Sequence, residues 1–275
     1  MRYAVKVAYD GSLFSGLQRQ GGEHRGSVEG SIIKALVEIG ENEEEGPCPI
    51  RFSSRTDSGV SALGNVFTLD SDMEPDELLK AMNSKLEGIW CWGYGEPRPS
   101  QNIRWANSRW YRYHLPPGSL VEDQIDELRT VLGLFEGSHD FTTLSRLEKG
   151  KNPVTFVERT DVIDLSGNAQ LVALDIVGSR FLWQQVRRMV GAAMGKVSGR
   201  LSEDDIRKLL AGEGKDISYR NMPPTGLVLM DVHFKDIDFR VSRKALERAL
   251  RRCSTSAWQA SMRVILDSAL RSLMG

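Results

Sequence analysis

The sequence predicts an α+β protein of two ferredoxin-like halves. Each half is a split βαβ unit with an antiparallel or mixed sheet, and the halves form a central cleft with helices on the outer faces. Three observations predict it. Hydrophobic spacing switches between period two and period 3.6 in the order βαββαβ over residues 2–94. The same order returns, with additions, over residues 109–234. Between the two, the run Pro-Arg-Pro-Ser-Gln-Asn at 97–102 breaks regular structure.

Residues 2–8 (RYAVKVA) alternate as a strand, and a helix follows from Ser27, with Val28, Ile32, Leu36 and Ile39 at helical spacing. A short strand near 50–53 and another over 63–69 (LGNVFTL) come next. A helix over 76–86 carries Leu78, Leu79, Met82 and Leu86, and the apolar run 89–94 (IWCWGY) closes the first half as a strand. The second half opens with a strand at 109–115 and a helix over 122–135 built on Ile125, Leu128, Leu132 and Phe135. Strands at 155–163 and 170–177 precede a helix over 182–198, whose stripe is Val186, Met189, Val190, Ala193, Met194 and Val197. Ser202, with Asp205 three residues on, reads as the cap of a further helix, and 227–234 (LVLMDVHF) as the last strand. Residues 236–275 add a tail of two helices, where Trp258, Met262, Ile265, Leu266, Ala269, Leu270 and Leu273 make a stripe that most simply packs on the body. The organisation is therefore 1–108, 109–235 and a tail over 236–275.

At 275 residues the chain exceeds a typical domain of roughly 100–200, which agrees with two halves. Hydrophobic residues at 40% and charged residues at 27% are ordinary globular usage and argue against disorder. The N-terminus alternates like a strand and holds no apolar signal core, and no run approaches the ~18 apolar residues of a membrane span. Cys48, Cys91 and Cys253 lie far apart with no metal-clamping spacing, and His24, His114, His139 and His233 are dispersed. The expectation is a cytoplasmic protein with no membrane partner and no metal.

A net charge of −1 does not announce a polyanion partner, but its distribution does. No Asp or Glu occurs from Pro97 to Val121, which holds Arg98, Arg104, Arg109 and Arg112. A second acid-free run, Gly178 to Ser202, holds Arg180, Arg187, Arg188, Lys196 and Arg200, and the tail adds Arg240, Arg243, Lys244, Arg248, Arg251 and Arg252. A solvated face explains any one run about as well. Three together, interleaved with Trp105, Trp110, Tyr111, Tyr113 and Trp183, point to RNA, where cations hold phosphates and aromatics stack on exposed bases.

The segment most suggestive of chemistry is Phe52-Ser53-Ser54-Arg55-Thr56-Asp57-Ser58-Gly59-Val60-Ser61-Ala62, small and polar residues in a loop between two strands. Asp-Ser-Gly alone is an ordinary turn. Arg55 two residues before it and apolar strands on both sides instead fix one carboxylate at a sheet edge.

Here the chain resembles the TruA-type pseudouridine synthases. Tyr9-Asp10-Gly11-Ser12-Leu13-Phe14-Ser15-Gly16-Leu17-Gln18-Arg19-Gln20 is similar to their YDGTxFxGWQxQ, and Ser54 to Val66 to their GRTDAGVHAxGQV. Arg109-Trp110-Tyr111-Arg112-Tyr113 resembles their RxYRY strand, Phe181 to Gly191 their FLxHMVRNIVG helix, and Pro223-Pro224-Thr225-Gly226-Leu227 their APPxGL. The blocks keep the family's order across residues 3–234. Departures stand at Leu17, Ser54, Ser61, Asn65 and Gln185, where the family has Trp, Gly, His, Gln and a His-Met pair; they touch substrate preference more than chemistry, since Arg55, Asp57, Tyr111 and Arg187 match.

The resemblance implies isomerisation of uridine to pseudouridine in the anticodon stem-loop of tRNA, usually at positions 38 to 40, by a cytoplasmic homodimer without a cofactor. The bond from ribose to the uracil nitrogen breaks, the base turns, and it rejoins through carbon. Asp57 is the catalytic carboxylate, attacking the anomeric carbon or assisting departure of the base, and for this it must be ionised. An opposed Arg187, at the border of the helix stripe, would favour that charged form; otherwise it is a surface cation. Tyr111 and Tyr113 share one strand face, so Tyr111 either stacks on a flipped uracil or accepts a ring proton, with core packing as the alternative for both. Arg55 fills a gap in the RNA stack or holds a phosphate, Arg109, Arg188 and Tyr113 complete the RNA-binding set, and Asp10 is a turn residue. On this reading 1–108 carries the Asp loop and 109–235 completes the cleft. Two competing readings remain: a non-catalytic RNA-binding protein, which needs no Asp57, and a nucleoside hydrolase, which calls for a second carboxylate or a metal beside it.

Overall fold

The computed structural model describes residues 1–18, 26–43, 49–165 and 171–245, and it has the α+β character that the hydrophobic spacing predicts. Contacts divide the chain into two units. Among the described residues, 1–55 and 62–105, with those from Phe234 to Ala245, form the first; Thr56–Ser61 and Ala106–His233 form the second.

In the first unit the order is β1 (Arg2–Tyr9), α1 (Val28–Glu38), β2 (Arg51–Phe52), β3 (Ser61–Asp70), α2 (Pro75–Lys85) and β4 (Ile89–Gly95). All pairings are antiparallel and give the sheet order β4-β1-β3-β2, the split βαβ arrangement. Alternation in 2–8 reads as a strand with one wet face, yet β1 is buried from Tyr3 to Tyr9. It is central in its sheet, and Lys6 is drawn in as well, its ammonium 4.7 Å from the centre of the Phe239 ring. Ser27 caps α1 by accepting the Gly30 amide at 3.1 Å, as its place before the apolar spacing predicts. Pro75 opens α2 at a position where no amide is needed.

The second unit runs β5 (Ser108–His114), α3 (Gln124–Gly133), β6 (Gly137–Asp140), β7 (Val154–Asp164), β8 (Val172–Gly178), α4 (Gln185–Val197), α5 (Glu203–Leu210) and β9 (Leu227–His233). Its strands are again antiparallel in the order β9-β5-β8-β7-β6. With β6 set aside this is the strand order of the first unit, so the repeat read from the sequence is a repeat of topology. Ser202 and Asp205 form a reciprocal capping box at the start of α5.

Three differences from the sequence reading have local causes. The helix expected from 182 begins at Gln185 because Gln184 stands at φ 63°, where a right-handed helix cannot continue. The strand β6 (GSHD) was not expected, since four half-exposed polar residues carry no period-two signal. In the stretch read as the start of a helical tail, Arg240–Val241 form a short strand, β10, paired with the outer edge of β4. The tail stripe from Trp258 to Leu273, with Cys48, Cys253 and His24, lies outside the described residues.

Candidate active site

The loop after β2 does form the turn its Asp-Ser-Gly composition suggests. The Val60 amide donates to the Asp57 carbonyl at 3.1 Å, and Gly59 takes φ +82°, which a residue with a Cβ rarely adopts. That turn lies against the 223–226 segment: a Cβ on Gly59 would stand 3.2 Å from Pro224 Cγ. At the base of the loop, buried Asn65 donates from Nδ2 to the Ser54 carbonyl at 2.9 Å and to the Tyr9 hydroxyl at 3.1 Å. The turn and the functional reading therefore coexist, because the turn is what presents the Asp57 side chain.

Both carboxylate oxygens of Asp57 are engaged, from the first turn of α4 and from the residue two before it. Arg187 Nη1 donates to Oδ2 at 3.1 Å, and the Trp183 indole Nε1 donates to Oδ1 at 2.8 Å. The Arg187 side chain is 11% exposed and that of Asp57 27%, so the pair is held largely out of water while the carboxylate stays reachable. Arg187 is itself fixed, with Nε donating to the Met222 carbonyl at 2.7 Å. That carbonyl can come so near because α4 carries Gly191 one turn on: a Cβ there would sit 1.7 Å from the Arg220 carbonyl oxygen. The Trp183 ring is 42% exposed, and the Arg146 guanidinium lies 4.3 Å from its centre. Gln184, the residue at φ 63°, stands between Trp183 and the start of α4, its Oε1 accepting from Asn221 Nδ2 at 3.0 Å. Gln185, one of the departures from the family pattern, is buried and bonded to Thr155 and to the Leu182 amide.

Strand β5 brings the tyrosines to the same region. Tyr111 is 7% exposed, meets Phe181 edge-to-face with centroids 5.3 Å apart, and has its phenol pushed up to about 12 by burial, with the Asp57 charge acting in the same direction and Arg109 against it. Tyr113 is buried and donates its hydroxyl to the Pro223 carbonyl at 3.0 Å; burial lifts its phenol to about 12 against the pull of Arg187 and Arg220. Gly226 lets this segment close on β5, since a Cβ would stand 2.7 Å from the His114 carbonyl oxygen and 2.8 Å from the Tyr113 ring. The Pro-Pro-Thr-Gly-Leu block is thus a brace for the Asp57 turn and for β5 at once.

The arginines of the cationic runs separate into two kinds. Arg112 is buried and bidentate to Asp175, at 2.6 and 2.7 Å, which takes it out of the locally cationic surface expected from the sequence. Arg109 is 8% exposed and donates to the Ser179 carbonyl, and burial lowers its pKa. Lys196 pairs with Glu127 at 2.8 Å and Arg98 with Asp236 at 2.6 Å. Arg55 is exposed, and Arg188 donates from Nη1 to the Tyr219 hydroxyl at 3.4 Å. Asp10 is a turn residue, accepting from the Ser12 amide and hydroxyl at 3.0 and 2.6 Å. Among the described residues no group of three His, Cys, Asp or Glu side chains is placed to hold a metal ion, and no helix is long and apolar enough to cross a membrane.

Asp57, Arg187 and Tyr111 are therefore brought together, with Tyr113 behind them. Trp183, Asn65 and Gly191 are the members that sequence reasoning did not assign. Trp183 was visible only as an aromatic in a cationic run, and nothing in its spacing said that its indole faces a carboxylate.

Comparison with known proteins identifies the relatives of this chain. A family model described as tRNA pseudouridine synthase matches residues 132–235, which include Arg187, Gly191 and the 223–227 brace. The tRNA pseudouridine synthase A of Thermococcus onnurineus is 37% identical over 256 residues, covering 90% of this chain and 91% of its own. That of Pyrococcus furiosus is 34% identical over 250 residues, with 90% and 89% covered. That of Methanococcoides burtonii is 38% identical over 238 residues, with 85% and 83% covered.

Proposed function

The chain belongs to the tRNA pseudouridine synthase A family, TruA, and is a tRNA pseudouridine synthase, an isomerase; from that premise we propose that Asp57 is its catalytic carboxylate. The observation that carries the assignment is the bridge from Trp183 and Arg187 to the two oxygens of one partly exposed carboxylate. The two donors hold the carboxylate in one orientation and leave it partly exposed, which is the arrangement a nucleophile needs.

In the reaction the carboxylate attacks the ribose anomeric carbon, or assists loss of the base, as the bond to uracil N1 breaks. The base turns and its C5 joins the same carbon, breaking the bond to the Asp57 oxygen where one has formed and releasing the carboxylate; the proton on C5 leaves and N1 regains one, so atoms and charge balance with no redox partner. Tyr111 lies close enough to feel the Asp57 charge, and its raised pKa keeps it a neutral phenol at physiological pH. That favours stacking on the flipped base, or donating to it, over accepting the C5 proton. Arg109 and Tyr113 serve by holding β5 in place, while exposed Arg55 and half-buried Arg188 meet RNA.

The substrate is tRNA, and the targets we assign are uridines of the anticodon stem-loop, at positions 38 to 40. A homodimer working in the cytoplasm completes the reading. The test is to incubate purified protein with anticodon stem-loop transcripts and sequence them after treatment with a pseudouridine-specific reagent. Signal at those positions with wild type and none with Asp57→Ala is expected; equal signal with Asp57→Ala removes Asp57 from the chemistry.

A further inference from the structure

Beside the carboxylate site, on the other flank of Arg188, the second unit holds a cavity of about 540 Å3 lined by Thr143, Ser145, Arg188, Lys215, Ser218 and Tyr219, among others. Its size falls within the several-hundred Å3 range of small-ligand pockets, ample for one nucleotide unit. Two of its lining side chains have buried polar atoms with no hydrogen-bond partner: Arg188 Nε and Ser145 Oγ. Ser145 is 6% exposed. A buried donor without a partner costs roughly 1–3 kcal/mol, more for a charged group, so two around one cavity call for an acceptor there.

The acceptor should be an anion. Three cations of neighbouring elements have carboxylates, Arg112 with Asp175, Lys196 with Glu127 and Arg187 with Asp57, while buried Arg109 is met by the Ser179 carbonyl. Arg188 is paired with no carboxylate among the described residues; its Nη1 meets only the Tyr219 hydroxyl. That hydroxyl donates to the Thr143 carbonyl, which fixes the guanidinium beside the cavity, and Nε itself is buried without a partner. Lys215 adds charge at the exposed rim, where Asp216 also stands. A second cavity of about 330 Å3 shares Ser218 and Tyr219 and is lined by Arg200 and Arg220, which extends the cationic lining along α4.

We propose that this cavity is a phosphate subsite, in which Arg188 Nε and Ser145 Oγ hold a backbone phosphodiester of the substrate RNA. The inference rests on the assignment of Asp57 and Arg187 above. Successive residues of a helix, Arg187 and Arg188 leave α4 about 100° apart, one to the carboxylate and the other to the cavity. The subsite thus anchors the strand next to the nucleotide whose base is extruded.

The experiment compares wild type, Ser145→Ala and Arg188→Met in tRNA affinity across a salt series and in steady-state turnover on the same tRNA. Each variant should weaken tRNA binding about tenfold, raising KM with kcat within about twofold, because a phosphate contact acts alike on ground and transition states. Arg188→Met should also flatten the plot of log affinity against log salt by about 0.7–0.9, one phosphate's worth, while Ser145→Ala leaves the slope alone. Ser145→Ala removes a hydroxyl that bonds nothing, so it folds as wild type and decides the matter even if Arg188→Met does not fold. Unchanged affinity in Ser145→Ala, or a fall in kcat at constant KM in Arg188→Met, overturns the subsite. Inorganic phosphate and uridine monophosphate should compete weakly with tRNA; either one binding without displacing tRNA would mark a free-anion site and overturn the assignment to RNA. Turnover by wild type and its loss in Asp57→Ala test the underlying reading independently of these outcomes.

Discussion

Replacing Trp183 with Phe isolates the least expected contact of the site. The substitution removes one donor, the indole N–H at 2.8 Å from Asp57 Oδ1, and keeps an aromatic ring beside Arg146. Hydrogen bonds to a charged acceptor contribute about 1.5–3 kcal/mol. The Asp57 side chain is 27% exposed, so water replaces part of the lost bond and the lower end applies, about 1.5 kcal/mol or roughly 12-fold in rate. If Trp183 aims the carboxylate, the loss should appear in kcat under single-turnover conditions, with tRNA affinity within about twofold. Arg187→Met should cost more, about 2–3 kcal/mol or roughly 30- to 150-fold, since it strands a largely buried charge. The double variant should lose less than the sum because both donors act through one carboxylate. A Trp183→Phe enzyme as fast as wild type, or faster, would refute the aiming role, and a faster one would show that the indole must leave before attack.

Asp57→Asn should abolish pseudouridine formation while tRNA affinity stays within a few-fold, measured by binding and turnover on one preparation; measurable turnover would sink the nucleophile assignment. Tyr111 should leave no inflection in the pH–rate profile below about pH 10, since burial lifts its phenol from 10.0 to about 12. An inflection near neutrality that vanishes in Tyr111→Phe would contradict this. The same raised values make stability full below about pH 10 and lost as pH climbs towards 12, where the unfolded phenols ionise first; denaturant midpoints at pH 9 and 11 should show this fall, smaller in Tyr111→Phe. Gly191→Ala should destabilise by about 1–3 kcal/mol and also lower kcat, because the added methyl displaces the Arg220 carbonyl and with it the Met222 acceptor of Arg187. An unchanged melting curve and unchanged rate would mean that the segment moves aside freely.

Much of this was legible because two periods and two caps were strong. The helical stripe from Val186 to Val197 and the Ser202–Asp205 capping box need only neighbours in sequence to be seen, and both are present. The pairing of Asp57 with Arg187 was legible through resemblance, because 130 residues separate them and no local pattern links them. What stayed hidden depends on third parties. Arg112 looks like any other cation until Asp175 arrives opposite it from β8, and Trp183 looks like a stacking aromatic until its N–H finds a carboxylate. The start of α4 was misplaced because a residue held at positive φ carries no mark in the sequence when it is glutamine instead of glycine.

That glutamine sets stability and rate against each other. Among the described residues Gln184 is the one non-glycine at positive φ, a conformation that costs about 1–2 kcal/mol for a residue with a side chain. Gln184→Gly would relieve that cost in the folded state and, at the same time, free the backbone that holds the indole towards Asp57. Gln184→Gly should therefore raise the melting temperature while lowering kcat, the two effects read on one preparation.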